Sequence, residues 1–154
     1  MTYRYKLPPR KGRRTPAARR PKPERDPGEE LTGRLRGKKA SDLEEVFGRA
    51  LNQSERILWW QYQNVYGAPA RNMSGAKTLD FLVFTGVLHP VQIDDEWIHK
   101  SASTQANDRA SDILINAKLS TRGARPVKRI KGNLLRVGRK ANQEKANRLV
   151  EELF

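Results

Sequence analysis

Two short stretches decide how this chain folds: residues 78–84, Thr-Leu-Asp-Phe-Leu-Val-Phe, and residues 90–94, Pro-Val-Gln-Ile-Asp. The first is rich in β-branched and aromatic residues, the second alternates β-branched with polar ones, and a turn signal at Thr85-Gly86 separates them. They read as two strands of a hairpin. Successive side chains of a strand point to opposite faces. Leu79, Phe81 and Val83 are therefore expected on one face, with Asp80, Leu82 and Phe84 on the other. In the second strand Val91 and Ile93 oppose Gln92 and Asp94.

Asp80 stands out in this pattern. A lone carboxylate inside an apolar strand is costly unless it is paired, metal-bound or at an open sheet end. Hairpin pairing brings Asp80 beside Gln92 and Asp94. Hard oxygen ligands gathered in this way suit Mg²⁺ or Mn²⁺.

Outward from the hairpin, helices and strands alternate. Upstream, Ser41 and Glu44 have capping-box spacing. Leu43, Val46, Phe47, Ala50 and Leu51 then recur on one helical face. From that helix Glu44 can approach Asp80, with Glu55 as its rival should the helix be wrongly placed. The aromatic run from Ile57 to Tyr62 reads as a strand, a helix starting at Ser54 being the alternative. As a strand it has Trp59 facing away from Trp60 and Tyr62, and core packing is favoured over base stacking for these rings. Residues 67–75 are a loop. Downstream, 106–119 is predicted helical with Ala110, Ile113, Leu114 and Ala117 buried. A strand at 126–130 and a last helix at 142–154 follow, the latter burying Ala146, Leu149, Val150 and Phe154. The order α-β-β-β-α-β-α predicts one mixed sheet with helices packed on it.

Charge supplies the second line of argument. The 154 residues include 31 Lys and Arg against 17 Asp and Glu, a net charge of +14. Such a chain attracts polyanions. Residues 1–40 hold 14 basic and 4 acidic side chains, punctuated by six prolines. They read as a basic arm, disordered unless bound, preceding a domain over residues 41–154. Arg10, Lys11, Arg13, Arg14, Arg19 and Arg20 are its expected phosphate contacts. A second basic region, from Lys118 to Arg148, has eleven cations and one acid, Glu144. Within it Arg125, Lys128, Arg129 and Lys131 are the expected nucleic-acid contacts, and Lys128 and Arg129 project to opposite faces of their strand. There is no cysteine, which excludes disulfides and thiolate metal sites. No apolar run is long enough to span a membrane. The expected setting is cytoplasmic or virion-associated rather than secreted.

The element order and several motifs resemble the PD-(D/E)XK nuclease superfamily, in its compact branch of very-short-patch-repair-like endonucleases. The resemblance covers roughly residues 41–135. It rests on Ser41-Asp42-Leu43-Glu44, Trp59-Trp60-Gln61-Tyr62-Gln63, Thr78-Leu79-Asp80-Phe81-Leu82-Val83, Pro90-Val91-Gln92-Ile93-Asp94, His99 and Asp108-Arg109. It implies a restriction-endonuclease-like αβββαβ core, a small mixed sheet flanked by helices. It also implies metal-dependent hydrolysis of a phosphodiester. Asp80 would be the central metal-binding aspartate, Gln92 would fill the second acidic position and Glu44 would be the helix-borne acid. Asp94 falls where many members carry a catalytic lysine, and His99 follows it closely. The implied cofactor is Mg or Mn, held by Asp80 and Gln92, and the implied partner is nucleic acid, DNA favoured over RNA.

The departures at Gln92 and Asp94 favour a different outcome. In it the domain is catalytically silent and serves as a structural nucleic-acid-binding component of a virion, a ribosome or a recombination complex. A ribosomal-type RNA-binding protein is a third expectation, which the basic arm suits and the aspartate-bearing hairpin suits less.

Overall fold

The structure, a computed structural model of the chain, describes residues 30–66, 77–95 and 101–154. The arm cations Arg10, Lys11, Arg13, Arg14, Arg19 and Arg20, the loop 67–75 and His99 lie outside the described residues.

The folded unit spans Leu31–Phe154, so it begins before the boundary expected at residue 41. Its first element is a small hairpin, β1 (Arg34–Leu35) paired antiparallel with β2 (Lys38–Lys39). Arg36 and Gly37 form its two-residue turn with φ of 49° and 78°. Positive φ at both central positions gives a turn whose twist matches that of the paired strands. One buried acid holds the hairpin down. Glu45, 1% exposed, accepts from the Thr32 and Gly33 amides at 2.8 Å each and pairs with Arg49 at 2.7 Å. Burial alone would raise its pKa, but these N–H donors and Arg49 bring it below the usual value. Nothing in the apolar periodicity of residues 31–40 signals this attachment, because the residue that makes it sits on the next element.

Helix α1 (Asp42–Gln53) starts as expected. Ser41 caps the Glu44 amide, and Glu44 reaches back to the Ser41 amide at 2.7 Å. Leu43, Val46, Phe47, Ala50 and Leu51 are all buried. The main sheet follows: β3 (Trp59–Tyr66), β4 (Lys77–Phe84) and β5 (Leu88–Asp94) form an antiparallel meander. Helix α2 (Ala102–Ser120) then crosses over to β6 (Lys128–Lys131), which pairs parallel with β5. A 3₁₀ turn (Gly132–Leu135), a short hairpin of β7 (Arg136–Val137) and β8 (Lys140–Ala141), and helix α3 (Gln143–Leu153) complete the unit. The strand order β3-β4-β5-β6 gives a mixed α/β fold around one four-stranded mixed sheet with three helices.

Two apolar clusters sandwich the sheet. Residues from α1 and α3 pack with Trp60, Tyr62, Phe81, Val83, Val91 and Ile130. Ile115 and Leu119 of α2 pack with Leu79, Leu82 and Leu88. Trp60 and Tyr62 are buried while Trp59 is 41% exposed and stacks on Phe84, as the alternation predicts.

Two expectations are corrected. The buried stripe of α2 is Ile115 and Leu119, continued toward the helix start by half-buried Asp112 and Asp108. Ala110 and Ala117 are exposed, and Ile113 is 69% exposed. Leu114 is half-buried, but Ala110, Ile113 and Ala117 lose the sheet to a stripe whose polar members have an interior partner. The second correction is Leu79, which joins Leu82 in the α2 cluster rather than Phe81 and Val83. The backbone changes face between them, at Asp80. Among the described residues no helix is long and apolar enough to cross a membrane.

A candidate active site where the sheet splits

The face change marks a break in the sheet. The β4–β5 ladder runs from Phe84↔Leu88 to Phe81↔Val91 and stops. The β5–β6 ladder begins at Val91↔Lys128 and continues to Asp94↔Lys131. Beyond Val91, then, β5 leaves β4 and follows β6. Asp80 and Gln92 would form the next rung of the first ladder. Instead, Asp80 Oδ2 accepts from the Ile93 amide at 2.8 Å, and the Asp80 amide donates to Gln92 Oε1 at 3.3 Å. Side chains thus satisfy the polar groups that the split exposes, as buried backbone groups require.

The other flank of Asp80 is interrupted too. Opposite it on β3, Gln63 has φ of 54° and drops out of the register between Tyr62↔Phe81 and Asn64↔Leu79. That left-handed conformation is strained for a residue with a side chain, and the hairpin braces it. Lys38 Nζ donates to the Tyr62 and Gln63 carbonyls at 3.0 and 3.3 Å. Gln63 Nε2 donates to the Lys39 carbonyl and to Tyr62 Oη at 3.2 and 3.1 Å. Arg36 lies over the Trp60 ring and donates to the Trp60 carbonyl. The basic hairpin therefore occupies outward carbonyls of the edge strand β3, protection that edge strands commonly need.

Charge gathers at the split. Burial pushes the Asp80 carboxyl up to about 7, and the negative charges of Glu44 and Asp94 add to the rise. The Ile93 amide and Arg129 oppose it. Glu44 and Asp94 thus both act on Asp80. Glu55 is exposed in the turn after α1, whereas Glu44, in the first turn of α1, is the acid whose charge acts on Asp80. Tyr62, a core residue, is also part of the same group. Its hydroxyl donates to the Lys39 carbonyl at 3.1 Å. Its pKa is raised by burial first, then by Glu44, and further by Asp80.

The last strand's cations divide. Arg129 is enclosed by acids: Asp94 at 2.8 Å, Asp112 in a two-pronged pair at 2.7 and 2.8 Å, and Asp108 at 3.8 Å. These carboxylates raise its pKa further. Its guanidinium is paired with acids of the protein, unlike the other cations expected to contact nucleic acid. Asp94 is correspondingly committed to Arg129, and Asp95 to Arg136 at 2.9 Å. A cleft of about 240 Å³ opens here, lined by Asp94, Gln105, Asp108, Arg109 and Arg129. Arg125, Lys128 and Lys131 are exposed, as expected. The Asp108/Asp112 spacing of one helical turn was the available signal for the Arg129 clamp.

For a divalent cation the donor set fits in kind and is lean in number. Among the described residues no group of three or more His, Cys, Asp or Glu could hold a metal ion. Asp80 Oδ2 accepts from the Ile93 amide, and Glu44 is engaged both by the Ser41 amide and by the Tyr62 hydroxyl. Mg²⁺ commonly retains waters and takes one or two carboxylates, its shell completed by substrate phosphate. Asp80 and Glu44 offer at most two carboxylates to such an open arrangement. They do not suit a closed protein cage. Comparisons with protein families, curated proteins and solved structures find no match for this chain.

Proposed function

We propose that this is a nucleic-acid-binding domain of restriction-endonuclease-like organisation, related to the PD-(D/E)XK superfamily, that hydrolyses a phosphodiester of DNA. The observation that carries this reading is the split between β4 and β5. It sets an ionisable carboxylate, raised to about 7, on a protein of net charge +14.

Asp80 and Glu44 would hold Mg²⁺ or Mn²⁺, with Gln92 alongside. The ion supplies Lewis-acid stabilisation of phosphate charge and a water of lowered pKa. The chain's own residues do the positioning. The Ile93 amide fixes the Asp80 carboxylate. Gln92, bonded to the Asp80 amide, holds that backbone in place. Arg129 keeps Asp94 neutralised, so Asp94 does not replace the absent lysine. The basic arm would grip the nucleic-acid backbone without reading sequence.

Plasmid nicking with Mg²⁺ or Mn²⁺ tests the reading. Asp80→Ala is expected to lower the rate at least about 100-fold. Nicking that survives this substitution removes the site. Glu44→Gln separates chemistry from capping, because a glutamine also completes a capping box. It is expected to leave stability within about 0.5 kcal/mol and to lower nicking. Equal nicking by this variant and the parent would reduce Glu44 to a cap.

A second reading, a catalytically silent nuclease-like fold in a nucleoprotein assembly, is favoured by one observation. Gln92 Oε1 is spent on the Asp80 amide and offers no second negative charge. Salt-sensitive DNA binding without cutting under either metal would select it.

A further inference from the structure

A cavity of about 300 Å³ lies at the far end of β5, lined by His89, Arg125, Pro126, Lys128, Leu153 and Phe154. It differs in chemistry from the cleft beside Arg129. It has two cations and no carboxylate side chain in its lining. Arg125 is held by its backbone, its amide donating to the Leu88 carbonyl at 2.8 Å. Lys128 is fixed by its place opposite Val91 in the parallel ladder. His89 stands half-buried between them and the last helix, edge-on to Phe154 at 5.1 Å. Its Nε2 is taken by Thr85 Oγ1 at 2.9 Å, which leaves Nδ1 for a ligand. Burial, then Arg125 and Lys128, lower its pKa, so the imidazole is neutral and the positive charge belongs to the two cations.

We infer that this cavity is an anchoring site for one backbone phosphate of a nucleic-acid strand. Arg125 and Lys128 take the phosphate oxygens, and the Phe154 ring offers a face for the adjoining base. Apolar walls strengthen the two charges by excluding water from one side of them. The volume is at the small end for ligand sites, suited to one nucleotide rather than a length of duplex. From His89 to Gln92 is three residues along β5, or about 10 Å at ~3.3 Å per residue. The inference rests on the nucleic-acid reading above and assigns the anchor that sets which phosphate reaches Asp80.

The test uses the full chain in EDTA, so that binding is measured without cutting. Anisotropy of a labelled single-stranded oligonucleotide is followed across salt concentrations. Arg125→Gln with Lys128→Gln is expected to weaken binding about tenfold and to flatten the salt slope by about 0.7, one phosphate's worth. Lys118→Gln with Lys140→Gln removes two exposed cations elsewhere and is expected to do much less. Equal losses from the two pairs would overturn the site.

Occupancy has its own readout. The chain has 2 histidines, so the His89 ring resonance can be identified by its loss in His89→Gln. A 5′-phosphorylated thymidine dinucleotide should shift it and thymidine should not. An unmoved resonance sinks the proposal. So does an equal response to inorganic phosphate at the same concentration, which would make the cavity a free-anion site. Failure here with intact metal-dependent nicking removes the anchor alone. Absence of nicking in every variant, with the His89 response retained, removes the nuclease reading alone.

Discussion

Lys128 and Arg129 are consecutive residues of β6 with opposite fates. Arg129 looks toward α2 and is closed in by Asp94, Asp108 and Asp112. Lys128 joins Arg125 at a cavity with no acidic side chain in its lining. Strand alternation sends neighbours to opposite faces, and the two faces carry different chemistry. One cation is a structural part that neutralises acids beside the candidate site. The other is exposed and has no acidic side chain in the cavity it lines. A run of positive charge is therefore not one surface, and counting cations overstates what nucleic acid can meet.

The largest expected effect breaks the clamp. Arg129→Ala leaves three carboxylates facing one another and should cost about 3 kcal/mol in urea unfolding, since removing one partner strands partly buried charge. Lys128→Ala, its neighbour, should stay within about 0.5 kcal/mol. Similar costs for both would show the clamp to be hydrated and the contrast to be false.

The next effect concerns Asp80. Its folded pKa, about 7 against 3.8, is raised, so the folded state holds its proton more tightly than the unfolded chain. Stability from this group is full below about 4 and is lost as pH rises through about 7. Asp80→Asn keeps an acceptor for the Ile93 amide and escapes that loss. Above pH ~7 and without metal it should be about 2 kcal/mol more stable than the parent, a figure reduced for the carboxylate oxygen left uncommitted. Parallel pH–stability curves for the two proteins would remove the raised pKa, and with it the reason to treat the split as poised for a cation.

The smallest effect tests the helix that supplies Asp108 and Asp112. Ile113→Ser, on its exposed face, should change stability by less than about 0.5 kcal/mol. Ile115→Ser, on its buried face, serves as the contrast and should cost several-fold more. A large cost at Ile113 would mean that the outward face of α2 is covered in solution.

Much of the fold was legible because local rules and packing agree. The capping box at Ser41 and Glu44, the stripe from Leu43 to Leu51, and the alternation of Trp59, Trp60 and Tyr62 all point where burial puts them. Helix α2 was legible as a helix but not in its facing. Hydrophobicity marked Ala110, Ile113 and Ala117, whereas an arginine on a distant strand drew Asp108 and Asp112 inward. Asp80 was visible as an anomaly in its strand. The hairpin of residues 34–39 was invisible to periodicity, since its hold comes from Glu45 and from the carbonyls of β3.

By itself, the sequence determined the positive charge, the absence of thiol chemistry, the order of the three helices and the four strands of the main sheet, and a carboxylate in an apolar strand. These depend on composition and on neighbours along the chain. Tertiary structure alone decided that β5 deserts β4 at Asp80, that Glu44 and Asp94 raise its pKa, and that Arg129 is spent while Lys128 is not. Each of those outcomes depends on the distance between groups far apart in the chain, because Coulombic and hydrogen-bond energies follow separation in space and burial rather than separation in sequence.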